Sequence, residues 1–502
     1  MATTLMNPFQ ETHRLERENS RRPVNRLPCE VLSHIFILCK NKERERGYPD
    51  IFCLTVLPTV CKHWRKVALD TKQLWSLVTL FDPPPFKFSS LYLERSGTTT
   101  PLDIEIRLSN RFWGFSHHPD RKLYTLGMTD ALNTIVKCGG CTSRWNSFWL
   151  YTPVRVPIYP QLAVLDFIRN LPMPALERFE TAYTGKLFLR TLAQLRQDKS
   201  TDKFLFAVSA PKCLKVASLQ AVPSTYMFLH ADRLRLPSLT RLELQFVLDL
   251  PPLGEINTVL AAMPKLKVLS IDTSDPHRVI CSSTPFNSRT FGNLPKIPMP
   301  NLRALALHFT TYASLSPWEY ALLLMLDAPN VQSLSLRLYR CASEVRLAEK
   351  PDFVEYLVKG ADLADPRPLF PRLTTLELFI SRSFSQIETH TTLDEVVLAA
   401  YPTVTTLVLP SFAQPFHTSL QPQLLPHLDR LIIGANTPFE LKTAMEKRCA
   451  AGRAPKVVEV QLLINEGAKC QWHHYQEVAD ELGFELYLSD YRVREVLGFE
   501  DA

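Results

Sequence analysis

Two cysteines three positions apart could hold a metal ion or form a redox-active disulfide. They are Cys138 and Cys141, with Gly139 and Gly140 between them. A structural zinc ion needs four ligands, and no second pair of ligands lies near these two in the sequence. We therefore expect two ordinary thiols in a turn.

Two histidine pairs, His117–His118 and His473–His474, are the other candidate metal ligands. Neither has cysteine or carboxylate partners at a suitable spacing, so we predict that neither binds a metal. The sequence also lacks a glycine-rich phosphate loop, the Gly-x-Ser-x-Gly turn of serine hydrolases and the His-Glu-x-x-His pattern of metalloproteases. It therefore predicts a non-catalytic protein without a cofactor. An enzyme on an α/β scaffold is a third alternative, and it requires titratable side chains that converge in a cleft.

The composition is that of a globular protein with more than one folding unit. The chain has 502 residues, of which 46% are hydrophobic and 21% charged, too long for a single compact core. Basic and acidic residues number 57 and 50 and are mixed along the chain, so we predict no nucleic acid partner. The N-terminal residues have no apolar stretch and no run is long enough to span a membrane. With 11 scattered cysteines, this predicts a cytoplasmic or nuclear protein with free thiols and no membrane contact.

Residues 25–80 predict a small helical domain. Val31, Leu32, Ile35 and Phe36 recur at helical spacing after Pro28 and form one apolar stripe. A second stripe holds Val60, Trp64 and Val67, and the unit closes at Leu74 and Trp75. Such short helices bury little surface alone, so a leftover apolar face is expected to dock on a partner. The alternative is that the first stripe is the core of a helical cap.

A proline-headed pattern recurs through the second half of the chain. Each copy reads Pro-x-apolar-x-x-apolar-x-apolar, and successive copies begin 24 to 42 residues apart. The eight full copies begin at Pro237, Pro264, Pro300, Pro329, Pro371, Pro402, Pro426 and Pro455, and two weaker ones at Pro174 and Pro211. The last two apolar residues of each copy predict a strand, and the segments between copies predict helices. The predicted fold is therefore α/β, an irregular leucine-rich-repeat solenoid with a curved parallel sheet and outer helices.

These patterns divide the chain into five parts. We predict a flexible tail at 1–24, the helical domain at 25–80, a connecting and capping region at 81–170, the solenoid at 171–490 and a C-terminal tail at 491–502.

Side chains between the strand leucines are predicted to point outward and form a candidate binding face for a protein substrate. The principal candidates are Arg241, Glu243, Asp272, His308, Arg337, Glu377 and Phe379, and the same positions of other strands add Gln245, Ser270, Ala306, Ser335 and Val408.

The segment from Leu27 to Trp75 resembles an F-box. The matching pieces are Leu-Pro-x-Glu at Leu27, Val-Cys-x-x-Trp-Arg at Val60 and Leu-Trp at Leu74. The whole chain is similar to fungal F-box proteins with irregular leucine-rich repeats. The resemblance implies a substrate receptor that joins a Skp-type linker protein, and through it a cullin–RING ubiquitin ligase, to an unknown protein substrate. It also implies linker contacts at Leu27, Pro28, Val31, Ile35 and Phe36, and an F-box core of Val60, Trp64 and Trp75. The alternative is an interaction scaffold without a ligase.

Overall fold

A computed structural model of the chain divides it into two compact units, Met1–Lys186 and Leu187–Ala502. It describes Arg14 and residues 17–19, 21–45, 51–80, 85–108, 121–153, 156, 158–183, 204–206, 210–228, 235–247, 250–273, 295–311, 317–340, 353–360, 367–380, 393–410, 421–434, 438–462 and 472–490. Most of the predicted N-terminal tail and all of residues 491–502 lie outside these ranges.

The first unit opens with the predicted helices. A 3₁₀ turn at Pro23–Arg26 precedes three helices: α1 (Cys29–Glu45), α2 (Ile51–Val60) and α3 (Lys62–Asp70). Cys61 caps α3, because its Sγ accepts the Trp64 backbone N–H at 3.5 Å. A second 3₁₀ turn, Lys72–Trp75, ends the helical part. We call residues 23–75 the helical unit.

One hydrophobic core holds the helical unit together. Leu32 and Phe36 of α1 pack in the same cluster as Leu74 and Trp75, and the cluster extends to Tyr92 of the following helix. Its other buried members are Leu54, Leu57, Val67 and Ala68. Because Tyr92 lies beyond residue 80, the helices share their core with the next part of the chain.

Four parallel strands follow within the first unit. They are β1 (Leu77–Leu80), β2 (Leu102–Arg107), β3 (Trp145–Thr152) and β4 (Arg178–Tyr183), hydrogen-bonded in chain order. The helices between them are α4 (Lys87–Ser96), α5 (Arg121–Lys137) and α6 (Tyr159–Ile168). Residues 81–170, predicted as a connecting and capping region, therefore contribute β2 and β3 to this sheet. The observed division at Lys186 also differs from the predicted solenoid start at residue 171.

The described part of the second unit holds a longer parallel sheet. Its strands, in spatial order, are β5 (Val216–Pro223), β6 (Arg241–Val247), β7 (Val268–Asp272), β9 (Ala304–Thr311), β11 (Ser333–Arg340), β12 (Thr375–Ile380), β13 (Thr406–Leu409), β14 (Arg430–Ile433), β15 (Val457–Leu462) and β16 (Glu485–Asp490). Every full copy of the proline-headed pattern forms one of these strands, which confirms the predicted parallel strands. Two short strands, β8 (Ile297–Pro298) and β10 (Leu326–Asp327), pair with each other.

Helices separate most of these strands in the described ranges. They are α7 (Thr225–Phe228), α8 (Leu253–Ala261), α9 (Pro317–Met325), α10 (Phe353–Lys359), α11 (Leu393–Ala400), α12 (Pro438–Ala450) and α13 (Trp472–Leu482). No helix in the described ranges has both the length and the apolar character that a membrane span requires.

The register places like residues in rows across the sheet. Leu242 pairs with Leu269, and this row continues through Leu305, Leu334 and Leu376. All five are buried. The neighbouring row begins Glu243, Ser270 and Ala306 and continues through Ser335 and Glu377. Since alternate strand residues point to opposite sides, the sheet of the second unit has a leucine face and a second face, which we call the polar face. In the first unit the polar face is the one that holds Glu105 and Glu180.

Candidate partner-binding surfaces

An exposed apolar stripe runs along α1. Val31, Ile35 and Leu38 are 45%, 37% and 54% exposed. They lie four and three residues apart, so they share one side of the helix. Pro28 is also exposed at the start of the stripe, and Leu27 is half-buried. Four of the five predicted linker contacts are therefore at least partly accessible. The prediction missed Leu38, although its spacing from Val31 and Ile35 could have identified it.

Two predicted roles in the helical unit need correction. Phe36 was expected at the surface, but it has no exposed area, because it lies one helical turn from Leu32 on the inward side of α1. Val60 was expected in the core, but it is 48% exposed at the end of α2. Whether a residue is buried depends on which face of its helix packs against the neighbouring helices. Because α1 has apolar residues on both faces, the sequence pattern did not show which face is buried.

Both tryptophans pack against the core of the helical unit. Trp75 is buried and donates its indole N–H to the Ala68 carbonyl at 2.8 Å. The Arg95 guanidinium lies 4.3 Å from the centre of the Trp75 ring. Trp64 is half-buried, with its ring 5.0 Å from that of Phe36.

The polar face of the second unit brings together the predicted substrate-binding residues. Arg241 and Glu243 form an ion pair at 2.5 Å within β6, and Ser218 of β5 donates to the same carboxylate at 2.7 Å. Gln245 donates to Asp272 of the next strand at 3.1 Å. These side chains therefore form two hydrogen-bonded groups, one that joins β5 to β6 and one that joins β6 to β7.

A third group of side chains links β7, β9, β11 and β12. His308 Nδ1 lies 3.9 Å from Asp272, and its Nε2 lies 3.3 Å from the Ser335 hydroxyl. Ser335 donates to Glu377 at 2.8 Å, and Arg337 pairs with the same carboxylate. An Asp–His–Ser order is one that hydrolases use for nucleophilic attack. Here Ser335 has no exposed surface and its hydroxyl is directed to Glu377, so a substrate carbonyl cannot reach it in this arrangement.

The residues of the predicted binding face differ in their exposure to solvent. Arg337 and Glu377 are buried, as are Ser335, Ala306 and Val408, which contradicts their expected outward exposure. The partly exposed candidates are Arg241, Glu243, Gln245, Ser270, Asp272, His308 and Phe379. The accessible part of the predicted face is therefore concentrated on β6, β7 and β9, with Phe379 on β12.

The two cysteines lie in a turn after α5. Cys138 Sγ is 3.4 Å from the Ser90 hydroxyl, and Cys141 Sγ is 3.1 Å from that of Ser143. Both thiols are free. His473 and His474 are exposed on α13, and His117–His118 lie outside the described residues. Within the described ranges, no group of three or more His, Cys, Asp or Glu side chains could hold a metal ion.

An aromatic pair on the polar face of the first unit was not predicted. Trp149 and Tyr151 of β3 stack with ring centres 5.8 Å apart and planes 13° apart. Both are partly exposed. They precede the first full proline-headed copy, so the repeat gave no reason to place them on a sheet.

No curated protein sequence matches this chain significantly. The profile of the F-box-like family matches residues 24–80, which contain the three helices, the core tryptophans and the exposed α1 stripe. The N-terminal part of the chain is therefore an F-box-like domain.

Proposed function

We propose that the chain is the substrate-receptor subunit of an SCF-type cullin–RING ubiquitin ligase. F-box domains typically link a Skp-type adaptor to substrates in these ligases, and the F-box-like domain implies binding to such an adaptor. In this proposal the protein acts without a catalytic site or cofactor of its own and works in the cytoplasm or the nucleus.

The observation that carries the proposal is the position of the exposed stripe within the matched domain. Val31, Ile35 and Leu38 each leave more than a third of their surface in solvent. Burying a complete aliphatic side chain of this size stabilises by about 1.5–3 kcal/mol. The stripe therefore offers a partner several kcal/mol of favourable burial, while Leu32 and Phe36 hold the opposite side of the helix in the core.

The substrate is proposed to bind the strand-and-helix array, which we interpret as an irregular leucine-rich-repeat solenoid. Parallel strands at these intervals, with leucines on one face and polar residues on the other, support that interpretation. Arg241, Asp272 and His308 are partly exposed on neighbouring or next-but-one strands of the polar face. A protein substrate would meet their polar groups together.

Adaptor binding can be tested with single substitutions in the full-length chain. We expect Ile35→Asp or Leu38→Asp to weaken binding to a purified Skp-type linker at least tenfold, because a desolvated contact is replaced by a charge. The matched control is Leu126→Asp on α5, where the side chain is 60% exposed outside the F-box-like domain. Wild-type affinity in the Ile35 and Leu38 variants would refute the assigned face.

A second measurement separates the receptor from the alternative, an interaction scaffold that uses the solenoid face without a ligase. If the chain is a receptor, the wild-type chain, the linker and a cullin–RING assembly should elute as one complex in size-exclusion chromatography. The Leu38→Asp variant should not enter that complex. If the linker binds but the cullin assembly never co-elutes, the scaffold alternative is favoured.

A further inference from the structure

The unpredicted aromatic pair lies in a patch with alternating charge. Register places Trp149 of β3 directly between Glu105 of β2 and Glu180 of β4. Adjacent strands are about 4.8 Å apart, so one carboxylate-bearing residue flanks the indole on each side. Arg107 and Tyr151 occupy the next row on the same face. We call these five residues the Trp149 patch.

One cation already occupies the patch. The Arg107 guanidinium lies 5.1 Å from the centre of the Trp149 ring and pairs with Glu105. Its side chain is nevertheless 42% exposed, whereas that of Glu105 is only 10% exposed. The ring and the carboxylate thus form the inner layer, and the arginine is an outer layer that solvent can reach. A weakly hydrated guanidinium suits both contacts, since it stacks on aromatic faces and bonds carboxylates.

The second carboxylate lies on the other side of the ring. Glu180 has a side-chain exposure of 16% and pairs with Arg178, which is 57% exposed. Arg178 aligns with Ser147 and Arg107 with Tyr151, four residues further along β3. At about 3.3 Å per residue, the two arginine positions lie roughly 13 Å apart along the strand. Both guanidinium groups nevertheless reach the row that holds Trp149, because Arg107 pairs with Glu105 and Arg178 pairs with Glu180. Glu105 and Glu180 lie on either side of the aromatic ring.

We propose that the Trp149 patch binds an arginine side chain of a protein partner, and that Arg107 is an internal competitor that this arginine displaces. The partner's guanidinium stacks on Trp149 and pairs with Glu105 and Glu180, while Arg107 moves into solvent and the exposed Arg178 gives up its contact with Glu180. The inference deepens the proposed function by assigning one feature of the substrate, a basic segment with an exposed arginine. Aromatic side chains with adjoining charge are typical of the residues that dominate protein interfaces.

The test uses the full-length chain labelled with 5-fluorotryptophan and the capped peptide Gly-Ser-Arg-Ser-Gly. Trp149→Phe identifies the fluorine signal of residue 149. We expect the arginine peptide to shift this signal, and the same peptide with uncharged citrulline in place of arginine to leave it unchanged. Glu180→Gln should weaken the binding by a factor of two to five, about what an exposed cation–aromatic or ion-pair contact contributes.

The decisive variant is Arg107→Gln, which removes the competitor and keeps a donor for Glu105. We expect the arginine peptide to bind two- to fivefold more tightly to this variant, an increase that misfolding cannot produce. Lys137→Gln, an exposed position on α5 with the same change in charge, should leave the affinity unaltered. Weaker binding to Arg107→Gln, an equal response to citrulline, or no response to arginine would overturn the proposal. Because no linker protein is present, these results are independent of the adaptor-binding test.

Discussion

The indole N–H of Trp64 donates to the side-chain oxygen of Asn25 at 2.6 Å. Asn25 uses its amide N–H₂ group to donate to the Asn19 carbonyl at 2.7 Å. One asparagine therefore joins the turn before α1 to helix α3, which are 39 residues apart in sequence. The bond ties α3 to the residues that lead into α1, the helix that carries the exposed stripe.

We expect Asn25→Ala to destabilise α3 locally by about 1–2 kcal/mol, because it leaves the partly buried indole N–H without its acceptor. Trp64→Phe keeps the ring contact with Phe36 but removes the donor, and should cost a similar amount. Native-state hydrogen exchange of the α3 amides measures both effects. The double variant should cost less than the sum of the two, and strict additivity would show that the bond contributes nothing.

A buried ion pair lies on the polar face of the second unit. Arg337 and Glu377 have side chains 7% and 0% exposed. Removing one partner of such a pair leaves an uncompensated charge and costs about 3–5 kcal/mol. We therefore expect Arg337→Met or Glu377→Leu alone to lower the thermal stability of the second unit strongly.

The double variant Arg337→Met with Glu377→Leu is the matched control for that pair. It leaves neither charge unpaired, so we expect it to be more stable than either single variant. Differential scanning calorimetry of the full chain resolves the comparison. A double variant less stable than both single variants would contradict the interpretation.

Much of the strand array could be predicted from sequence, because its signal is local. Each proline-headed copy carries its own apolar alternation, and Leu242 and Leu244 are buried as that alternation requires. β3 and β4 gave a weaker signal, since β3 lacks a preceding proline copy and β4 follows only the weak copy at Pro174. Their inclusion in a sheet depends on the pairing of β3 with β2 and of β4 with β3, which is a long-range property.

The exposed surfaces were harder to predict, since exposure depends on what packs above a residue. Val31, Leu32, Ile35 and Phe36 are all apolar, so the pattern could not show which side of α1 faces inward. The same limit applies to Glu377, an outward strand position that is nevertheless fully buried beside Arg337. Sequence spacing gives the face of an element, and tertiary packing decides whether that face meets solvent.

Two buried tyrosines make the second unit sensitive to alkaline pH. Burial raises the pKa of Tyr356 from 10.0 to about 12, with smaller contributions from Tyr320 and Asp327. Burial also raises the pKa of Tyr401. Between pH 10 and 12 the unfolded chain loses the phenolic proton and the folded chain keeps it, so the free energy of unfolding falls as pH rises. Below pH 10 the contribution of both groups is fully present.

The two phenylalanine substitutions should differ at neutral pH. Tyr401 donates to the Leu357 carbonyl at 2.7 Å, so Tyr401→Phe is expected to cost about 1 kcal/mol. The buried Tyr356 hydroxyl has no hydrogen-bond partner among the described residues, so Tyr356→Phe should leave stability unchanged or raise it. Each substitution should also reduce the alkaline loss of stability. Thermal unfolding at pH 7 and pH 11 tests both expectations, and a large loss on Tyr356→Phe at pH 7 would contradict them.

The glycines between Cys138 and Cys141 have a structural explanation that leads to the last prediction. Gly139 has a φ of +94°, and Trp145 and Arg144 donate to the carbonyls of Gly140 and Gly139 at 3.0 and 2.7 Å. A Cβ at Gly140 would lie 2.8 Å from the Ile135 backbone oxygen. We therefore expect Gly140→Ala to lower the thermal stability of the first unit by more than 1 kcal/mol, because backbone must shift.

Cys141→Ser is the control for that substitution, since the thiol is exposed and needs no metal in this interpretation. It should change the free energy of unfolding by no more than a typical surface substitution does, about 0.5 kcal/mol. Chelation with EDTA should likewise leave the wild-type transition unmoved. A stoichiometric metal ion detected by mass spectrometry, and lost in Cys141→Ser, would show that the two thiols are ligands and that the glycine geometry serves a metal site instead.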